Sequence, residues 1–154
     1  MPSYSVSASE IKYASGSSWT SGKARQGVYS STRYEGALNF ADLANFSFSN
    51  IAITGIQMRV TFGPTGGAST KYLTLYGGTQ NSISGSISSM RGSAFGAVSV
   101  SSAYDRTETL TFSASNNSDI FSALVNFFAS GHRVLILYVP KKMEIRSPLI
   151  HINI

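Results

Sequence analysis

The stretch IAITGIQMRVTF, residues 51–62, sets Ile56, Met58, Val60 and Phe62 on one side of an extended chain and Gln57, Arg59 and Thr61 on the other. Successive side chains of a strand point to opposite faces, so this alternation demands a sheet with one face buried and does not suit a helix. KYLTLYGG, residues 71–78, repeats the rhythm, with Leu73 and Leu75 against Tyr72, Thr74 and Tyr76. Joined by the glycine-bearing residues 63–70, the two strands are expected to pair as a β-hairpin with a long loop.

That connecting stretch, GPTGGASTK, has the glycines and the Ser69, Thr70 and Lys71 of a phosphate-cradling loop. A loop of that kind needs a glycine directly before the lysine and a helix directly after it, so that amides and the helix N-terminus meet the phosphate. Here Thr70 precedes Lys71 and strand pattern follows. The reading is a turn.

Further strands are expected in ARQGVYSS and YEGALNF, in AFGAVSV and ETLTFSA, and in PLIHINI, where Leu149 and His151 oppose Ile150, Ile152 and Ile154. HRVLILYV is a nearly continuous apolar run, the pattern of a strand covered on both faces. One helix interrupts them. In NNSDIFSALVNFFASG, Asn117 or Ser118 is placed to cap, with Asp119 near the positive end of the dipole. Ile120, Leu124 and Phe127, widened by Phe121, Val125 and Phe128, form the apolar face, and Gly131 ends it. The expected fold is therefore all-β: a jelly-roll-like β-sandwich with one short helix, about residues 119–129, before the last two strands. Residues 1–15 read as an N-terminal arm or first strand, and 16–154 as a single sandwich domain.

At 154 residues the chain is long enough to bury roughly 70% of its unfolded surface as one domain. Only 12% of residues are charged, about half the usual share. Ser, Thr, Asn and Gly take their place, which suits extracellular particles and assemblies whose neighbours cover part of the surface. Twelve basic residues against seven acidic give a net charge of +5, yet the only adjacent basic pair is Lys141-Lys142. Nucleic-acid binders concentrate such charge in a stripe, so a nucleic-acid role is argued against. No basic n-region followed by an apolar core opens the chain, and no apolar run reaches the about 18 residues of a membrane-spanning helix. Neither a signal peptide nor membrane insertion is expected.

Chemistry is sparse. The chain has no cysteine, which removes disulfides, thiol nucleophiles and thiolate metal sites. The carboxylates Glu10, Glu35, Asp42, Asp105, Glu108, Asp119 and Glu144 are scattered, and none has the apolar strand setting that raises a pKa for acid catalysis. The two histidines, His132 and His151, have no adjacent carboxylate and make neither a zinc motif nor a triad. His132 follows the helix end, where an imidazolium would interact well with the dipole. No Gly-x-Ser-x-Gly elbow occurs. The expectation is a protein that is not an enzyme, with no cofactor and no metal. Asn45-Phe46-Ser47 and Asn116-Asn117-Ser118 match the glycosylation sequon, a motif common by chance. Trp19, Arg25, Tyr29, Arg33 and Tyr34 form the candidate contact set: rings that stack on sugars beside groups that bond hydroxyls, with Trp19 as a core plug the competing role.

Trp19 leads into Arg25-Gln26-Gly27 and Tyr29; a small-residue strand ends at Asn39-Phe40; residues 53–62 and a Gly-Gly loop follow, then Leu75-Tyr76-Gly77, ETLTFSA, the helix, RVLILYV and PLIHINI. This order resembles jelly-roll modules of bacteriophage and prophage tail, baseplate and fibre proteins. The resemblance covers most of residues 16–154 and carries no catalytic signature. It implies a structural or adhesion protein at the surface of a virion, partnered by itself and other virion proteins. The Ser-rich loops 81–93 and 101–107 are expected to meet neighbouring subunits or a host surface. The alternative is a carbohydrate-binding module contacting cell-wall or host-surface glycan through Trp19 and nearby tyrosines.

Overall fold

The computed structural model describes residues 3–15, 18–20, 34–48, 52–62, 71–84, 87–100, 106–139 and 145–154. Among these residues ten strands form two antiparallel sheets. The four-stranded sheet contains β1 (Ser3–Ser7), β5 (Gly55–Phe62), β8 (Arg106–Ser113) and β10 (Ile145–Asn153), in the order β1-β10-β5-β8. The six-stranded sheet contains β2 (Glu10–Ser15), β3 (Ser18–Thr20), β4 (Tyr34–Asn39), β6 (Lys71–Gly78), β7 (Arg91–Val100) and β9 (Val134–Val139), in the order β3-β2-β4-β9-β6-β7. With β2 and β3 set aside as an added ribbon, eight strands remain, four in each sheet. The chain changes sheet at every step among them except from β6 to β7. That is the strand order of a jelly roll, as the alternating pattern suggested.

The expected hairpin of residues 51–62 with 71–78 does not form. β5 lies between β10 and β8 in one sheet, while β6 lies between β9 and β7 in the other. Alternation reports which face of a strand is buried and is silent on its neighbours. Ile56, Met58 and Val60 on β5 and Leu73 and Leu75 on β6 are all buried in the same core. Two strands facing each other across a core about 10 Å thick satisfy the rhythm as well as two adjacent ones.

β9 shows how the core is divided. As its apolar run predicts, both faces are covered: Leu135 and Leu137 enter the main core, whereas Val134 and Ile136 join Ala37, Ile83 and Met90 in a second cluster on the opposite side of the sheet. Part of what covers that second side is residues 79–84 of the Ser-rich stretch together with a single helical turn, α1 (Ile87–Met90). Ile83 and Met90 are its apolar anchors. Hydrogen bonds hold it down. Asn81 Nδ2 donates to the Gly131 carbonyl at 2.9 Å, and Asn81 Oδ1 accepts from the Arg133 amide at 2.9 Å. Asn39 Nδ2 reaches the Asn81 carbonyl at 3.2 Å, and Lys12 Nζ the Ile83 carbonyl at 3.0 Å. At its base, the Thr79 amide donates to the Met90 carbonyl at 2.9 Å. This stretch is a strap across the protein's own sheet, and residues 91–93 already belong to β7, so 81–93 is not one loop. Residues 101–105 lie outside the described residues.

The late helix is α2 (Ser118–Ala129), with Ile120, Leu124 and Phe128 buried beneath it. Phe127, expected on the main stripe, is only partly buried and meets Phe95 edge-on at 5.2 Å. Asn117 occupies the cap position but does not cap. It stands in the left-handed region with φ 53°, and its Nδ2 donates to the Thr111 carbonyl at 3.3 Å. The tight return from β8, closed by paired bonds between Ser113 and Asn116, requires this conformation, which Asn adopts more readily than most residues. At the other end Gly131 has φ 95°, and the amides of Gly131 and His132 bond the carbonyls of Phe128 and Phe127. This is a Schellman ending, and it fulfils the glycine reading.

Candidate functional site

Of the five candidate contact residues, Arg25, Tyr29 and Arg33 lie outside the described residues. Trp19 takes its register on β3 opposite Ala14, and Tyr34 opens β4 opposite Val139. β2 runs between those two strands, and its Tyr13 pairs with both Thr20 and Gly36. Trp19 and Tyr34 therefore lie near the same end of the sheet but one row out of step, Trp19 in the row of Ala14 and Tyr34 in the next, so the two positions belong to opposite faces.

Among the described residues the acids sit on separate elements. Glu10 pairs with Lys12 at 3.7 Å. Asp42 lies in a 3-10 turn, Ala41–Asn45, and Asp119 in the first turn of α2, the helix-start position its sequence context indicates. Glu35 is placed by register opposite Tyr138. Asp105 and Glu144 lie outside the described residues. Among the described residues no group of three or more metal-ligating side chains occurs.

His151 has partners that no sequence spacing announces. Its Nδ1 lies 2.6 Å from Ser5 Oγ, 146 positions away, and its Nε2 lies 3.1 Å from Asn153 Oδ1. Each ring nitrogen thus holds one side-chain partner, Ser5 on β1 and Asn153 on β10. The order Ser, His, Asn resembles a nucleophilic relay on paper. Here Ser5 and His151 are direct cross-strand neighbours of β1 and β10, on the solvent side of a sheet, with Ser5 exposed. The trio fastens β1 to its neighbour.

His132 stacks on Phe127 at 4.8 Å with an interplanar angle of 15°. The cation that serves the end of α2 is Arg133, whose Nη1 donates to the carbonyls of Phe128 and His132, each at 2.8 Å, while the guanidinium sits over Phe48 at 5.9 Å. Partial burial there pulls the Arg133 pKa below its ordinary value; the group is charged at any physiological pH. Sequence reasoning assigned this place to His132 and passed over the neighbour with the longer reach.

The solvent side of the four-stranded sheet is a polar grid. Register aligns Ser5, His151, Gln57 and Thr111 in one row and Ser7, Leu149, Arg59 and Thr109 in the next. Arg59 is the one permanently charged side chain in the two rows. Hollows lie elsewhere. One of about 430 Å³ runs along Phe95–Ala97 beside the start of α2, and one of about 290 Å³ separates Ala97–Ser99 of β7 from Thr109–Thr111 of β8. A third, about 260 Å³, is lined by Phe48, Ile53, Phe121 and Val125. All three are open grooves with no cluster of acid, base and nucleophile. No helix of the described residues is long and apolar enough to cross a membrane. Comparison with protein-family models and with curated proteins finds no match for this chain.

Proposed function

We propose that this protein is a non-enzymatic structural and attachment module of a phage-type particle, displayed at the particle surface and working as an assembly of copies. The observation that carries this reading is the eight-strand jelly-roll order, presented with polar, charge-poor faces. Jelly rolls recur in capsid and lectin domains, where faces and loops make contacts. Fold alone does not confer a role. The supporting detail is local: His151, the most chemically suggestive group, holds two strands together, and the described acids stand apart. The test is the sedimentation behaviour of the purified protein together with its detection in purified particles. A monomer found in no particle overturns the proposal.

Glycan contact through Trp19 is the second reading, supported by residue type alone, since register sets Tyr34 on the other face of the sheet.

A further inference from the structure

Two of the hollows form one groove. Those of about 430 Å³ and about 290 Å³ share Ala97 and Asn117 in their linings. Together they follow β7, the outermost strand of its sheet, from Phe95 to Ser99, with β8 and the return into α2 as the far wall. The larger hollow alone is within the about 300–1,000 Å³ of small-ligand sites. An outermost strand offers main-chain amides and carbonyls along its free side. The start of α2 stands close against β7: a Cβ on Gly96 would lie 2.8 Å from Ile120 Cγ1, and Asn117 lines both hollows beside Ala97. That narrows the room for an added strand and makes a recess for a compact ligand.

The lining selects the kind of ligand. Ser99, Thr109 and Thr111 bring hydroxyls, Asn116 and Asn117 bring amides, and Asp119 brings the single charge. The chain carries +5, yet neither hollow is lined by a lysine, arginine or histidine. Anions therefore gain nothing there. Apolar ligands find little, since Val98 and Leu110 on the floor are 8% and 7% exposed. A neutral ligand rich in hydroxyls fits: hydroxyls donate and accept, amides do the same, and a carboxylate accepts from two hydroxyls at once. Asp119 is exposed and bonds to no described residue. The turn beside it is pre-set, because Asn117 Nδ2 donates to the Thr111 carbonyl at 3.3 Å and to Asn116 Oδ1 at 3.2 Å. Phe95, held edge-on by Phe127 at 5.2 Å, ends the groove with an aromatic ring on which the C–H face of a sugar can rest. We infer that this groove is a saccharide site, taking a neutral mono- or oligosaccharide between Asp119, Asn116 and Thr109. It is distinct from any contact at Trp19, because β3 and β7 are opposite edges of the six-stranded sheet.

Amide chemical-shift titration of the isotope-labelled full chain tests it. The probes are chitotetraose, maltotetraose, cellotetraose and methyl galactoside, with sodium phosphate as the anion control. Saturable shifts are expected at residues 95–99, 109–111 and 116–120 with at least one saccharide, and none with phosphate. Asp119→Asn should weaken binding roughly tenfold and Thr109→Val roughly threefold. Thermal melting should stay unchanged, because both side chains are exposed. Should Asp119→Asn lower the melting temperature, Thr109→Val decides alone. Trp19→Ala should leave the binding intact. The absence of saturable shifts with every saccharide at up to roughly 50 mM overturns the inference. So does binding that phosphate matches, or that both groove variants leave at wild-type strength. Binding lost in Trp19→Ala alone also overturns the groove and leaves the reading through Trp19 standing. The assembly reading is tested separately, by sedimentation and particle content.

Discussion

Replacing Ile83 by Ala separates a strap from a loop. Ile83 sits in a stretch whose Ser-rich sequence reads as a surface connection, yet its side chain is only 2% exposed, packed with Ala37, Met90, Val134 and Ile136. The substitution removes three carbons. At about 0.8 kcal/mol per buried methylene the transfer loss alone is about 2.4 kcal/mol. The space left behind adds to it, since large-to-small changes of this kind cost about 2–5 kcal/mol. We predict a destabilisation of about 2–4 kcal/mol. In urea, with a slope of roughly 1–3 kcal/mol per molar for a domain of this size, the unfolding midpoint should fall by about 1–2 M. Asn81→Ala provides the second perturbation, because it strips the strap of bonds to Gly131 and Arg133. Its cost should be about 1–2 kcal/mol, and the double variant should fall short of the sum because both residues hold one element. A midpoint unmoved by Ile83→Ala refutes the packing of Ile83 on the six-stranded sheet.

Gly96→Ala should destabilise by about 1–3 kcal/mol in thermal or urea unfolding, because φ there is +148° and a Cβ would stand 2.8 Å from Ile120 Cγ1; a neutral result contradicts the close passage of β7 under α2. Gly131→Ala meets nothing within 4 Å, so only its left-handed backbone resists, and a smaller loss of about 1 kcal/mol is expected in the same assay. His151→Ala should cost about 1 kcal/mol through the lost bonds to Ser5 and Asn153, and faster amide exchange confined to β1 in hydrogen–deuterium measurements is the signature to seek. Trp19→Ala should abolish glycan-array binding while leaving the melting temperature within error if the second functional reading holds; a protein that instead unfolds assigns Trp19 to packing.

Much of the fold was legible because side-chain alternation records burial directly. Ile56, Met58, Val60, Leu73 and Leu75 lie on the faces that their spacing assigns. The twice-covered β9 and the helix ended by Gly131 were readable for the same reason: each leaves a local mark in composition or period. Pairing left no such mark. Nothing in residues 51–78 distinguishes a hairpin from a crossing between sheets, because both bury the same side chains. The strap was hidden by its serines, since two apolar anchors seven positions apart carry no period. Arg133 was missed because its role depends on carbonyls that a helix exposes only once formed. The candidate contact set was the least legible. Its logic was chemical type alone, and most of it lies outside the described residues.

The pairing of β1 with β10 has a bearing on how the molecule comes into being. Ser5 must find His151 across 146 positions, so its bonds cannot form until all the residues between them have left the ribosome. Closing the widest of loops is slow, and pairings of this kind lengthen folding times. For that interval Val6, destined for the interior, waits in water, and one side of β10 stays open to whichever strand arrives first. In a crowd of identical nascent chains, that strand can belong to a neighbour.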